Sequence, residues 1–128
     1  MAAKKLLTHA EFQVMSIVWN LPDQSGFTSD ILAQYADPKP AYTTLATFLK
    51  ILTGKGFVKC TKNGGKLRYM AKVSREEYAG TYLAPLKSVF FDGSIEKAIA
   101  FILSNETLTP EQAGNIADMA RSRVQATA

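Results

Sequence analysis

The chain has 128 residues, with 15 basic and 11 acidic side chains and a formal net charge of +4. Its single cysteine, Cys60, excludes an internal disulfide and is too few for a structural zinc site. The apolar runs are only a few residues long, and the N-terminal sequence has no secretory signal, so no membrane insertion is expected. With 47% apolar and 20% charged residues, the composition predicts one small globular domain, alone or with an oligomerisation element, in the reducing cytoplasm.

Positive charge is concentrated in the first part of the chain. Residues 1–72 contain ten basic and four acidic side chains, whereas residues 73–128 contain five basic and seven acidic ones. A basic module favours a polyanionic partner, most often nucleic acid, although a solvated lysine surface has the same composition. We therefore expect a basic domain at residues 1–73 and a mildly acidic region at residues 74–128.

The first predicted helix starts at a capping box formed by Thr8 and Glu11 and ends near Leu21. Its apolar residues form two stripes on roughly opposite sides, and one of these contains Phe12 and Trp19. A helix that is apolar on two sides is expected to be held between two layers. One layer should belong to its own module and the other to the C-terminal part of the chain.

A loop at residues 22–27 precedes a short second helix, which is expected to be capped by Thr28 or Ser29 and to end near residue 36. A turn with two prolines at residues 37–40 separates it from a third helix at about residues 41–55. The apolar stripe of this third helix has the spacing of a buried helical face. It consists of Leu45, Phe48, Leu49 and Leu52.

A β-hairpin is predicted after the third helix, with strands at residues 57–62 and 66–71. The Asn63-Gly64-Gly65 turn between them permits the positive φ angles that a tight turn needs. One face of the second strand is expected to pack and the other to be basic. The packed face contains Leu67, Tyr69 and Ala71, and the basic face contains Lys66, Arg68 and Lys72.

The rest of the chain is predicted to be helical. A second capping box, Ser74 to Glu77, precedes a long helix that Pro85 should kink or divide, and later helices start at Ser94 and Thr109. Two short helices have more apolar residues than one chain can bury, so we expect a two-fold homodimer, with packing inside one chain as the alternative. The residues expected at the interface are Ile95, Ile99, Phe101, Ile102, Leu103, Ile116 and Met119.

The predicted fold class is mainly α with a small β-hairpin wing, a winged helix-turn-helix followed by a helical dimerisation region. In this fold the third helix enters the DNA major groove and the wing lies along the backbone or minor groove. Threonines are short enough to enter a groove, and each offers a methyl and a hydroxyl to a base edge or phosphate. The residues predicted to bind double-stranded DNA are Lys39, Tyr42, Thr43, Thr44, Thr47, Lys50, Lys62, Lys66 and Arg68.

Other interpretations compete with this one. The threonine face and the lysines are also compatible with ordinary solvated surfaces, Tyr42 with packing inward, and the winged helix with protein contacts in place of DNA. An enzyme would need clustered acids, bases, nucleophiles or metal ligands. The chain offers one histidine, His9, at a helix start, and Cys60 in the hairpin, where a packed residue is favoured over a redox sensor. We therefore predict no catalytic residue, cofactor or metal.

Three segments resemble the bacterial penicillinase-repressor family, which includes methicillin-resistance repressors and copper-responsive relatives. They are LTHAEFQVMSIVW at 7–19, AYTTLATFLKILTGKGFV at 41–58 and YMAKVSREEY at 69–78. The resemblance extends over about residues 6–122. It implies a dimeric transcriptional repressor whose winged helix binds a palindromic operator upstream of resistance genes, while its C-terminal helices form the dimer.

The resemblance also implies a possible proteolytic switch. In the resistance repressors a membrane sensor responds to a β-lactam, and the repressor is then cut in the helix that follows a Gly-Ser step. Here that region is GSIEKAIAFIL, and the corresponding bond joins Ala100 and Phe101. The family's cleaved pair is Asn-Phe, so Ala100 departs from the pattern, and Phe101 is more simply explained as an aromatic residue of the dimer core. The copper-responsive branch has C-terminal cysteines that this chain lacks.

Overall fold

The computed structural model describes residues 6–124, and within them the chain forms six α-helices and three strands. The helices are α1 His9–Asn20, α2 Thr28–Ala33, α3 Tyr42–Gly54, α4 Arg75–Phe91, α5 Ile95–Ser104 and α6 Pro110–Ser122. The strands are β1 Ser25–Phe27, β2 Val58–Asn63 and β3 Lys66–Ala71. No helix in the described part of the chain is both long and apolar enough to cross a membrane. This architecture confirms the predicted winged helix with additional C-terminal helices.

The core lies between α1, α2, α3 and the sheet. From α3 it receives Leu45, Leu49 and Leu52, each with 0% of its surface exposed. The predicted apolar stripe of α3 is therefore confirmed, with Phe48 packed at its edge. The other fully buried side chains are Val14, Met15, Val18, Ile31, Phe57 and Val58.

The start of α1 is joined to the end of α3 by a partly buried ion pair. Thr8 and Glu11 form the predicted capping box, in which each side chain accepts from the other's backbone N–H. The same Glu11 carboxylate, which is 5% exposed, lies 2.8 and 2.9 Å from the Lys55 ammonium. One carboxylate thus satisfies the helix end and fixes the position of α3 against α1.

The second apolar side of α1 packs against the beginning of α4. The Phe12 ring stacks on Tyr82 with centroids 6.2 Å apart, and Trp19 lies 5.9 Å from Tyr78. Two hydrogen bonds support this arrangement, since Trp19 Nε1 donates to the Val73 carbonyl at 2.9 Å and the Tyr78 hydroxyl accepts from the Leu7 N–H at 2.8 Å. The prediction that α1 is held between two layers is confirmed.

The region before α2 contains more regular structure than the predicted loop, in which only Phe27 was a candidate for an extended residue. A 3₁₀ turn at Pro22–Gln24 leads into β1, which pairs antiparallel with β3 and makes a three-stranded sheet in the order β1-β3-β2. The predicted cap of α2 is also wrong. Thr28 is already helical, and the Asp30 carboxylate accepts from the Phe27 N–H at 2.8 Å. The helix ends at Ala33, before the predicted residue 36, and Lys39 donates to carbonyls at its end, as described below.

The hairpin forms as predicted, but one of its packing assignments is wrong. Tyr69 is buried and Ala71 is half-buried, whereas Leu67 is 46% exposed. Leu67 pairs with Lys62 close to the turn, where packing against the rest of the described chain covers it only in part. Lys72 lies just after β3 and is exposed, and its N–H donates to the Phe57 carbonyl at 2.8 Å.

The chain divides between Pro85 and Leu86 into two compact units. We expected the boundary near residue 73, but Tyr78 on α4 is 2% exposed and belongs to the core of the first unit. Pro85 does not divide α4, which continues through it to Phe91.

In the second unit, the predicted caps of α5 and α6 are present, because Ser94 accepts from the Lys97 N–H and Thr109 and Gln112 form a capping box. The helices of this unit nevertheless bury no residue of α5 or α6. Most of their large apolar side chains remain exposed in the single chain.

The Glu11–Lys55 pair makes the stability of the fold depend on pH. Burial of the Glu11 carboxyl would raise its pKa, but the hydrogen bond and charge of Lys55 and the Thr8 N–H outweigh burial and hold the pKa below its ordinary value. A carboxyl with a lowered folded-state pKa stabilises the fold above its unfolded-state pKa, and this stabilisation is lost as pH falls through the folded-state value.

We therefore expect Glu11→Gln to lower the free energy of unfolding by about 1–3 kcal/mol at neutral pH. The difference from wild type should shrink as the pH falls below the ordinary glutamate range. Urea unfolding at several pH values measures it, with Glu76→Gln, an exposed glutamate of α4, as the matched control. A difference that stays constant with pH would show that the Glu11 charge does not stabilise the fold.

Candidate nucleic-acid interface

The face of α3 opposite its buried leucines is fully accessible. Thr43, Thr44, Thr47 and Lys50 are exposed, as predicted from the helical periodicity. Tyr42, for which the sequence left two orientations open, is 56% exposed at the first turn and therefore does not pack into the core. Because Leu45, Leu49 and Leu52 hold the other side of the helix, these exposed side chains keep a fixed direction.

The threonines present methyl groups as well as hydroxyls. The Thr47 hydroxyl donates to the Thr43 carbonyl at 3.0 Å, so its proton is already used inside the helix. What Thr47 offers outward is its methyl group and a hydroxyl lone pair. A methyl group beside an acceptor suits the thymine C5-methyl or a base amino group in the major groove.

A groove of about 390 Å³ separates the start of α3 from the wing. Tyr42 and Ala46 line it on the helix side, and Lys66 and Leu67 on the hairpin side. Burial, together with the neighbouring Cys60 and Tyr42, raises the pKa of the Tyr69 phenol at its floor. Sequence reasoning missed two accessible residues here, Leu67 and Ser29, because neither belongs to a basic or threonine-rich pattern.

The wing cations do not share one face. Residues paired across antiparallel strands point to the same side of a sheet, and successive residues alternate. Lys62 pairs with Leu67, so it lies on the face opposite Lys66 and Arg68. The cations therefore surround the end of the hairpin and do not form a single basic surface.

Arg68 and Lys66 differ in how free their charges are. The Arg68 guanidinium donates to the hydroxyl of Ser25, which is 5% exposed, so Arg68 also satisfies a buried group of β1. Lys66 is exposed and has only a loose contact with the Phe27 ring, 6.0 Å from Nζ to the centroid. Lys66 is thus the cation of β3 best able to contact a phosphate without a structural cost.

Lys39 has a structural role as well as an exposed position. Its ammonium donates to the carbonyls of Tyr35 at 2.5 Å and of Ala33 at 3.3 Å. These carbonyls lie at the end of α2, where unpaired acceptors favour a cation. The charge that we predicted for DNA contact is therefore directed toward the end of α2.

The candidate interface carries no negative charge. Neither α3 nor the hairpin from Val58 to Ala71 contains an aspartate or glutamate, while Lys50, Lys59, Lys62, Lys66 and Arg68 all lie there. Within residues 6–124, no group of three or more His, Cys, Asp or Glu side chains is placed to hold a metal ion. The site is chemically a positive, hydroxyl- and methyl-bearing surface.

The residues predicted for dimerisation lie in the second unit. Ile95, Ile99, Phe101, Ile102 and Met119 are exposed, and Leu103 and Ile116 are half-buried. The Ala100–Phe101 bond lies in the middle of α5 with both side chains exposed, and the Phe101 ring is 5.6 Å from that of Phe91.

Comparison with known proteins identifies the family. The model of the penicillinase repressor family matches residues 7–122. The chain belongs to the penicillinase repressor family. This family comprises regulatory DNA-binding proteins and not enzymes, so membership supports a transcriptional repressor whose partner is DNA.

Comparisons with individual proteins do not refine the family assignment. No curated protein gives a significant match. Among solved structures, the chain is similar to BpsR of Bordetella bronchiseptica, whose DNA binding is regulated by 6-hydroxynicotinic acid, with 15% identity and a TM-score of 0.46. The alignment covers 94% of this chain and 77% of BpsR. At this TM-score the similarity supports no inference about the present chain.

We predict that Lys66→Ala weakens binding to all duplexes by a similar factor. Each neutralised phosphate contributes about −0.9 to the slope of log K against log salt concentration, so the slope should become shallower by about one unit. Titrations at several salt concentrations measure it, with Lys87→Ala, an exposed lysine of the second unit, as the equal-charge control. An unchanged slope would remove Lys66 from the phosphate contacts.

Proposed function

We propose that this repressor is a homodimer that binds a palindromic operator, with α3 in the major groove and the wing on the adjacent backbone. The observation that carries the proposal is the separation of the two faces of α3. Three leucines anchor one face in the core, and the acid-free threonine face opposite them is open to a partner. The DNA contacts are Tyr42, Thr43, Thr44, Thr47 and Lys50 on the helix and Lys62, Lys66 and Arg68 on the wing.

Lys39 takes a smaller part in this proposal. Because its ammonium is bound to the end of α2, it holds the α2–α3 connection in place and adds positive charge near the operator. Its contribution to affinity is therefore mainly long-range attraction, which salt screens.

The apolar surface of the second unit supports a dimer. Ile95, Phe101, Ile102 and Met119 are between 57% and 64% exposed in the single chain, and no residue of α5 or α6 is buried. Exposed apolar side chains that lie together on a surface often mark a protein–protein interface. A two-fold pairing would cover it and would present two copies of α3 to one duplex, as half-sites of an inverted repeat require.

We infer from the family that the regulated genes are resistance genes. The partner that would cut the repressor is a sensor-linked protease, and its cleavage site in this chain would be the Ala100–Phe101 bond. That bond lies inside α5, so cleavage requires local unwinding of the helix. Ala100 is the observation that favours a second candidate, a repressor of an unrelated operon that is released without cleavage.

We predict that Thr47→Glu lowers operator affinity at least about 100-fold, because a carboxylate would face the phosphates and base acceptors of the groove. Thr47→Val is the matched control. It keeps the branched shape and loses only the hydroxyl bonded to Thr43, so affinity should stay within about tenfold. Gel-shift titration gives both affinities, and sedimentation should show the same oligomeric state for both variants. Wild-type affinity in Thr47→Glu would contradict the proposed docking and would favour the use of this surface for protein contacts.

We predict that Ile99→Asp converts the protein to monomers and weakens operator binding as a consequence. Ile99 lies in the apolar stripe of α5, where a buried unpaired charge opposes association. Ser104→Asp introduces the same charge on the opposite side of the same helix and should leave the dimer intact. Sedimentation velocity distinguishes the states. A stable dimer of Ile99→Asp would place the interface elsewhere.

A further inference from the structure

A cleft of about 520 Å³ lies between α1 and the beginning of α4, outside the proposed DNA surface. Its walls are aromatic and aliphatic, and its volume falls in the range of small-molecule sites, roughly 300–1,000 Å³. All its lining residues belong to the first compact unit. They are Phe12, Ser16, Trp19, Asn20, Arg75, Tyr78, Ala79, Tyr82 and Leu83.

The apolar walls of the cleft have the geometry of a site for an aromatic ring. The Phe12 and Tyr82 rings are nearly parallel, with an interplanar angle of 8°, and Trp19 meets Phe12 edge-on at 6.3 Å. Tyr78 is almost fully buried, whereas Phe12 and Tyr82 are each more than 40% exposed. An additional ring would therefore find both faces and edges of aromatic residues in contact distance.

The polar end of the cleft is positive. Arg75 is the only charged residue among the lining residues, and its guanidinium donates to the Asn20 side-chain oxygen. A neutral amide orients the guanidinium without cancelling its charge. This is the one hydrogen bond that the Arg75 side chain makes to residues 6–124, and no carboxylate in that range lies within ion-pair distance. The remaining N–H groups can form a paired contact with a carboxylate.

From this combination we infer that the cleft binds a small aromatic carboxylate, with the ring against the cluster of Phe12, Trp19 and Tyr82 and the carboxylate on Arg75. A protein partner fits the cleft less well, because a stable interface needs about 1,000 Å² or more and nine residues on two helices offer less. The inference does not depend on the operator or on the dimer. It concerns only a contact between α1 and α4.

The test uses the single tryptophan of the chain, Trp19, which lines the cleft. The full-length protein is titrated with phenylacetate, with its neutral counterpart 2-phenylethanol and with the non-aromatic cyclohexaneacetate. Tryptophan fluorescence and calorimetry report binding, and the melting temperature should rise with ligand concentration. We expect saturable binding of one phenylacetate per chain and at least about tenfold weaker binding of 2-phenylethanol, because only the acid pairs with the guanidinium.

Two variants and a control locate the contact. Arg75→Gln should weaken phenylacetate about tenfold and abolish its preference over the alcohol. Ala79→Trp should fill the cleft and weaken both, as measured by calorimetry, because this variant adds a second tryptophan. Lys59→Gln removes an equal charge from β2 and should change neither. Circular dichroism checks that each variant is folded.

Three results would overturn the inference. One is the absence of saturable binding of phenylacetate. A second is binding that Arg75→Gln and Ala79→Trp leave unchanged, or equal affinity for the acid and the alcohol. The third is saturable phenylacetate binding that appears only after dilution, which would show that another copy of the chain occupies the cleft.

Discussion

The burial of one face of α3 is the constraint on which the rest of the structure depends. Truncation of a buried leucine costs roughly 2–5 kcal/mol, while a whole domain is stable by only about 5–15 kcal/mol. Turning α3 so that its threonines entered the core would expose Leu45, Leu49 and Leu52 and leave hydroxyls without partners. The helix α3 therefore has one orientation. Burial of its leucines determines that its threonines face outward. The packing of the core thus sets the direction of the surface that we propose for DNA binding.

The position of α3 in the first unit depends in turn on α1. One side of α1 contributes to the same core, and its Glu11 holds the end of α3 through Lys55. Its other side, with Phe12 and Trp19, packs against the beginning of α4. The helix α4 starts in the first unit and ends in the second, so it is part of both.

Much of this arrangement was predictable from local sequence. The caps at Thr8, Ser74 and Thr109 need only residues three positions apart, and all three are present. The periodicity of α3 was long enough to identify both of its faces. The aromatic stripe of α1 also indicated a second packing layer, which the residues after Val73 provide.

Other features depend on contacts between distant residues, and local patterns do not encode them. The strand β1 has three residues and exists because it pairs with β3, some 40 positions later. Alternation placed Leu67 on the packing face, but it does not show where the helical layer ends. The positions of Lys39 and Arg68 were predictable, whereas their bonds to the end of α2 and to Ser25 were not. A prediction from charge alone therefore counts more cations as available for DNA contact than the structure leaves without other bonds.

The most direct test of the central claim is selection of bound sequences from random duplex DNA with the full-length protein. If two copies of α3 read the major groove in a two-fold dimer, the recovered sequences will contain two inverted half-sites. Their centres will lie about 10 base pairs apart, or a multiple of that distance. Enrichment of a single unrepeated motif, or no enrichment over the starting pool, would contradict the account.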